Sequence, residues 1–131
     1  MNISILFTII FIIFYLILTI ITIKARKSTK VAYGDDGNKE LIKAVRAHGN
    51  FFEFTVFFII SSFLLEILDA GPIYVLFINI VFLIGRISHA YSMLKEKIIF
   101  RMVGMMATLI SYAVNCIYLL YLYWQYFSHL E

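Results

Sequence analysis

Residues Ile3 to Ile23 form an unbroken run of twenty-one residues without a charge. A helix needs about 20 apolar residues, at ~1.5 Å rise each, to cross ~30 Å of hydrocarbon. This run meets that length. It lacks the marks of a cleaved leader: no basic start, an apolar core longer than ~7–15 residues, and no small-residue cleavage site after it. It therefore reads as a retained first membrane helix. The rest of the chain agrees, with 63% hydrophobic and only 15% charged residues, against about 45–50% and about 25% in soluble proteins.

Three further helices follow. The second is expected from about Asn38 or Lys39 to about Leu68. "DAGP" (Asp69 to Pro72) is a turn, because Gly and Pro punctuate it and Pro suits a helix start. The third runs from about Pro72 to Leu94 and the fourth from about Ile98 to Phe127. The fold class is thus an all-α membrane protein, one four-transmembrane-helix bundle over residues 1–131. No internal repeat is evident.

All eleven Lys and Arg fall in, or beside, the connections between helices 1 and 2 and between helices 3 and 4. The other side carries only Glu66, Asp69 and Glu131. The positive-inside rule then predicts both connections in the cytoplasm and both termini outside, with "YLYWQYF" (Tyr121 to Phe127) as an outer aromatic belt. The connection "KARKSTKVAYGDDGNKE" reads as a topology signal with a turn at "GDDG", or alternatively as a place where Arg26 reaches an anionic ligand.

Helix 2 raises a difficulty. Only twelve uncharged residues separate Glu53 from Glu66, so the span must carry Arg46, His48, Asn50 and Glu53 into or near the lipid. Helical spacing gathers the polar residues into stripes. These are Arg46, Asn50 and Glu53 on helix 2; Asn79, Arg86, His89 and Met93 on helix 3; Arg101, Thr108, Tyr112 and Asn115 on helix 4; and Thr8, Tyr15, Thr19, Thr22 and Arg26 on helix 1. Lipid cannot satisfy such stripes, so they face the bundle or a neighbouring subunit. Glu53 pairing with Arg86 is one expectation. It leaves Arg46, Arg101 and Arg26 in excess, which points to a bound carboxylate or phosphate. His48 lies about 160° off the Arg46 stripe and reads as an interfacial hydrogen-bonding residue. His89 reads as either a ligand contact or a helix–helix bond. There is no spaced metal site and no Gly-rich phosphate loop. Gly49, Gly85 and Gly104 read as close-packing points, and Cys116 as an inert buried thiol.

The motif "RAHGNFFE" (Arg46 to Glu53) resembles the signature of the MAPEG family, the membrane-associated proteins in eicosanoid and glutathione metabolism. "GRISHAY" on helix 3 and "RMVGMMAT" opening helix 4 extend the likeness over nearly the whole chain, closest to the small bacterial branch. The resemblance implies a homotrimer in a bacterial inner membrane, binding glutathione as co-substrate at each subunit interface, open to the cytoplasm. By position it implies that Arg46, His48, Asn50 and Glu53 contact glutathione, with Glu53 on the γ-glutamyl ammonium. Arg26 would hold a glutathione carboxylate, Arg86 would support the site, and Arg101 would stabilise the thiolate. The second substrate would be a hydrophobic or lipid-like electrophile. Two departures stand out: Phe54 and Met93 occupy places where many eukaryotic members carry Tyr. The family also includes members that bind lipid without known catalysis. Three functions are thus in view: a glutathione transferase or peroxidase, a non-catalytic lipid-binding or scaffold protein, and a small transporter. Nothing in the chain points to nucleic acid. The absence of a repeat and of a charge within helix 1 speaks against transport.

Overall fold

The computed structural model describes residues 2–128; Glu131, counted above among the acids, lies outside them. Four helices follow one another: α1 (Asn2–Thr29), α2 (Lys39–Ile67), α3 (Pro72–Lys95) and α4 (Ile98–Ser128). Each is long and apolar enough to cross a membrane. The ends obey local chemistry. Asn38 caps α2, its side-chain oxygen accepting from the Glu40 and Leu41 amides. Pro72 opens α3, where its missing N–H costs nothing, and Glu96 closes it in the left-handed conformation. The first helix runs further than expected, through the basic turn to Thr29. Arg26 and Lys27 lie in its last turn, where cations complement the helix dipole.

Helices α2 and α3 are central. The first helix packs on both and the fourth packs on both, while α1 and α4 do not touch. The core is aromatic. Phe58 and Phe82 stack with ring centroids 3.6 Å apart, and Phe11 meets both edge-on at 6.2 and 5.6 Å. Such pairing adds about 0.5–1.5 kcal/mol beyond area burial.

The stripes of α3 and α4 turn into the bundle at Asn79, Arg86, His89, Thr108 and Asn115, whereas Arg46, Glu53 and Arg101 are exposed in the single chain. Further polar side chains join the helices. Toward the α2–α3 turn, Ser4 Oγ lies 2.8 Å from Ser62 Oγ, which also accepts from Asn79 Nδ2 at 2.7 Å. Tyr74 donates to Asn115 Oδ1 at 2.9 Å, and Asn115 Nδ2 donates to Ser61 Oγ at 2.9 Å. Glu66 of α2 accepts the Ile3 and Ser4 amides, both at 3.2 Å, at the start of α1.

Two expectations need correction. Cys116 is exposed, not buried, at a surface groove that it lines with Ser61, Tyr112 and Asn115. Gly49 is not a packing point, since a Cβ there would meet only Glu53 Oε1 at 4.0 Å. Gly85 and Gly104 do mark a close crossing. A Cβ at Gly104 would lie 2.6 Å from the Gly85 carbonyl oxygen, and one at Gly85 would lie 2.9 Å from Ala107 Cβ.

Candidate functional site

The bundle opens at the end that carries the α1–α2 and α3–α4 connections. A cavity of about 630 Å³ there is lined by Arg46, Gly49, Asn50 and Glu53 of α2, His89 and Met93 of α3, Arg101 of α4 and Asp35 of the first connection. Helical spacing explains the α2 wall: positions 46, 49, 50 and 53 fall on one face. The crossing of Gly85 on Gly104 explains the other wall, because it brings the α3 turn with His89 against the α4 turn that follows Arg101.

Charge is distributed in a particular way. Arg46, Glu53, Arg101 and Asp35 all reach the cavity, yet among the described residues no two of them pair within 4.0 Å. Glu53 does not pair with Arg86 either, contrary to expectation. Arg86 is fully buried. Its Nη2 donates to Asn50 Oδ1 at 2.6 Å and to the Asn50 carbonyl at 3.2 Å, and its Nη1 donates to Thr108 Oγ1 at 3.3 Å. The guanidinium carbon stands 5.2 Å from the centroid of Phe54, a cation–π contact. One asparagine supplies two acceptors one turn before Glu53, which suits the planar fork better than a single distant carboxylate. Tyr112 donates to the Phe54 carbonyl from the other side. Arg86 is thus a buttress: it holds Asn50, and Asn50 faces the cavity.

His89 is 97% buried, being 3% exposed, and it lines the cavity. Its Nδ1 has no hydrogen-bond partner among the described residues. A buried imidazole nitrogen in that state is costly unless something else bonds it.

Two of the expected ligand contacts, His48 and Arg26, do not line this cavity within the single chain. His48 Nε2 is 3.1 Å from Thr19 Oγ1, and its ring stacks on Tyr15 at 4.6 Å. It ties α2 to α1 on the far side of the helix, as its angular offset predicts. Arg26 does not line the cavity. Its Nη1 donates to the carbonyls of Val31, Ala32 and Gly34 at 3.4, 3.3 and 2.9 Å. It folds the connection back so that Asp35 joins the wall. Asp35 itself was not singled out from the sequence; "GDDG" gave only a turn, and the signal was the short reach between two helices. Gly34 and Gly37 take φ of +64° and +69°, where side chains are disfavoured. With Arg26→Ala, the backbone around Gly34 to Asp36 should exchange hydrogen and be cut by protease at least about tenfold faster. Thermal stability should fall by no more than about 1 kcal/mol, because loop bonds at an exposed site contribute little.

A family model for MAPEG matches residues 4–121. The chain belongs to the MAPEG family. Among curated proteins, this MAPEG chain is 36% identical over 86 residues to the inner membrane protein YecN of Escherichia coli strain K12, and equally to that of an Escherichia coli O6:H1 strain. The match spans 66% of this chain and 66% of each relative. No solved structure matches this MAPEG chain. Family membership, the four apolar helices and an inner-membrane relative together make it an integral membrane protein.

Proposed function

We propose that this protein is a glutathione-dependent membrane transferase or peroxidase, working as a homotrimer with its sites at subunit interfaces open to the cytoplasm. The observation that carries the reading is the cavity itself. Arg46, Arg101, Glu53 and Asp35 line it without pairing to each other among the described residues, Asp35 Oδ1 accepting from the Gly37 amide. Its volume of about 630 Å³ falls within the ~300–1,000 Å³ of small-molecule sites. A ligand with two carboxylates and one ammonium, such as glutathione, complements such a lining. Arg46 and Arg101 suit its anionic groups and Glu53 its ammonium, while Asn50, held by Arg86, and His89 supply hydrogen bonds. Arg46, Glu53 and Arg101 are exposed in the single chain, as they would be where a neighbouring subunit completes the site.

The chemistry is electrostatic. A free thiol with pKa near 8.5 is mostly protonated at neutral pH. The Arg101 guanidinium beside it favours the thiolate, which is the nucleophile. The thiol proton passes to water, and the thiolate attacks a hydrophobic electrophile dissolved in the bilayer. A bond to sulfur forms as the bond to a leaving group, or the O–O bond of a hydroperoxide, breaks and its electron pair departs with the leaving atom. The protein contributes positioning and charge stabilisation.

Ultraviolet difference spectra on adding glutathione at neutral pH test this. The wild type should show a thiolate band. Arg101→Ala should abolish the band while weakening glutathione binding by less than about tenfold, since other groups hold the peptide. A folded wild type that binds glutathione without a band would refute thiolate activation. One observation favours a second reading, a non-catalytic lipid-binding protein: Phe54 faces Arg86 and Met93 lines the cavity, so neither offers a hydroxyl to a thiolate. That reading predicts no band and tight binding of apolar ligands.

A further inference from the structure

A second cavity lies on another face of the α3–α4 pair, away from His89 and Arg101. It encloses about 510 Å³, with Ile84, Gly85 and Tyr91 on one side and Phe100, Val103 and Ala107 on the other. Gly85 and Ala107 meet at the floor of its deep end, where neither projects beyond a Cβ. The polar group inside it is already used, Ser88 Oγ donating to the Phe100 carbonyl at 2.9 Å. Tyr91 and Phe100 meet edge to face at 5.3 Å at the end near the connection. Helical spacing sets Lys95 one turn beyond Tyr91 on the same face of α3, and Lys97 follows in the connection. Both lysines are exposed, and among the described residues neither makes an ion pair within 4.0 Å. Glu96 between them is taken by Lys43 at 3.2 Å.

Length decides what fits. From Lys95 to Ile84 is eleven residues, about 16 Å of helix. That is about half of a ~30 Å hydrocarbon core, the depth of one leaflet. A neighbouring helix would need a groove along the whole span. An acyl chain needs one leaflet, with its headgroup at the lysines.

The geometry points to a specific binding site for an anionic phospholipid, one acyl chain lying in the Gly85–Ala107 groove and the phosphate held by Lys95 and Lys97. This site is separate from the charged cavity and does not depend on the function proposed for it.

Native mass spectrometry of the protein purified with equal amounts of phosphatidylglycerol and phosphatidylcholine, carrying identical acyl chains, tests the assignment. The wild type should retain phosphatidylglycerol preferentially. A lysine near an anionic surface contributes about 1 kcal/mol, so the double variant Lys95→Gln/Lys97→Gln should lose up to about thirtyfold of that preference while still retaining lipid. Val103→Trp, which fills the groove from an exposed position, should lower retention of both lipids and leave the helices assembled. Equal retention of the two lipids by the wild type would overturn the assignment. So would unchanged retention in Val103→Trp. If Val103→Trp instead lowers the number of chains per particle, the groove belongs to a second copy and the lipid site is refuted.

Discussion

Gly104→Ala is expected to destabilise the protein by about 2 kcal/mol and to weaken ligand binding at the charged cavity. Adding one methyl would place it 2.6 Å from the Gly85 carbonyl oxygen and 2.7 Å from the His89 backbone nitrogen. Both obstacles are backbone, so no side chain can rotate away and α3 must separate from α4. Overpacking of this kind costs about 1–3 kcal/mol, and rigid backbone on both sides puts this case at the upper end. Alanine regains about 1 kcal/mol of helix propensity over glycine, which leaves the net loss. The same separation moves His89 away from the turn after Arg101, so the cavity widens. Reversible unfolding in mixed detergent would measure the first effect and ligand titration the second. A variant as stable as wild type would show that the crossing has slack that these distances deny.

The second large effect concerns Arg86, and it runs against the usual sense of a conservative substitution. Arg86→Lys should destabilise the protein by about 2–3 kcal/mol, and by at least about 1 kcal/mol more than Arg86→Met. Lysine keeps a positive charge in a fully buried position, but one ammonium cannot reproduce a fork that reaches Thr108 and both oxygens of Asn50. Hydrogen bonds to charged groups contribute about 1.5–3 kcal/mol. Methionine removes the charge together with its desolvation cost, and the Asn50 oxygens it frees lie beside the open cavity, where water can bond them. Thr108 still donates to the Gly104 carbonyl at 2.8 Å. Both variants should bind ligand at least about tenfold more weakly, because Asn50 is no longer held toward the cavity. Thermal unfolding of the three proteins side by side gives the order; Arg86→Lys equal to wild type would sink the argument.

The four spans were legible in the sequence because hydrocarbon imposes a length that little else imitates. Their ends agreed with the structure within one residue except at Thr29, where a basic turn looked like a loop but remained helical. The α2 part of the cavity was legible too: Arg46, Asn50 and Glu53 share a face by spacing alone. What spacing could not give was choice of partner. Counting charges pointed Arg86 at Glu53, whereas the structure gives it Asn50, whose two oxygens lie on the approach of the guanidinium. Arg26 and Asp35 were illegible for a related reason. Their places depend on how a nine-residue connection, residues 30–38, folds back, and that is decided by three backbone carbonyls that no residue type reveals.

Glu66 brings time into the architecture. Its carboxylate accepts the amides of Ile3 and Ser4, so the donors that begin the first helix are bonded by a residue more than sixty positions later. During synthesis α1 is complete long before Glu66 exists. Until then those amides need water or lipid headgroups, and the end of α1 is held at the membrane surface. Arrival of α2 brings the carboxylate, releases that demand, and lets the two helices settle as an antiparallel pair. The hairpin of α1 and α2 is therefore the first unit in which these donors are bonded within the protein.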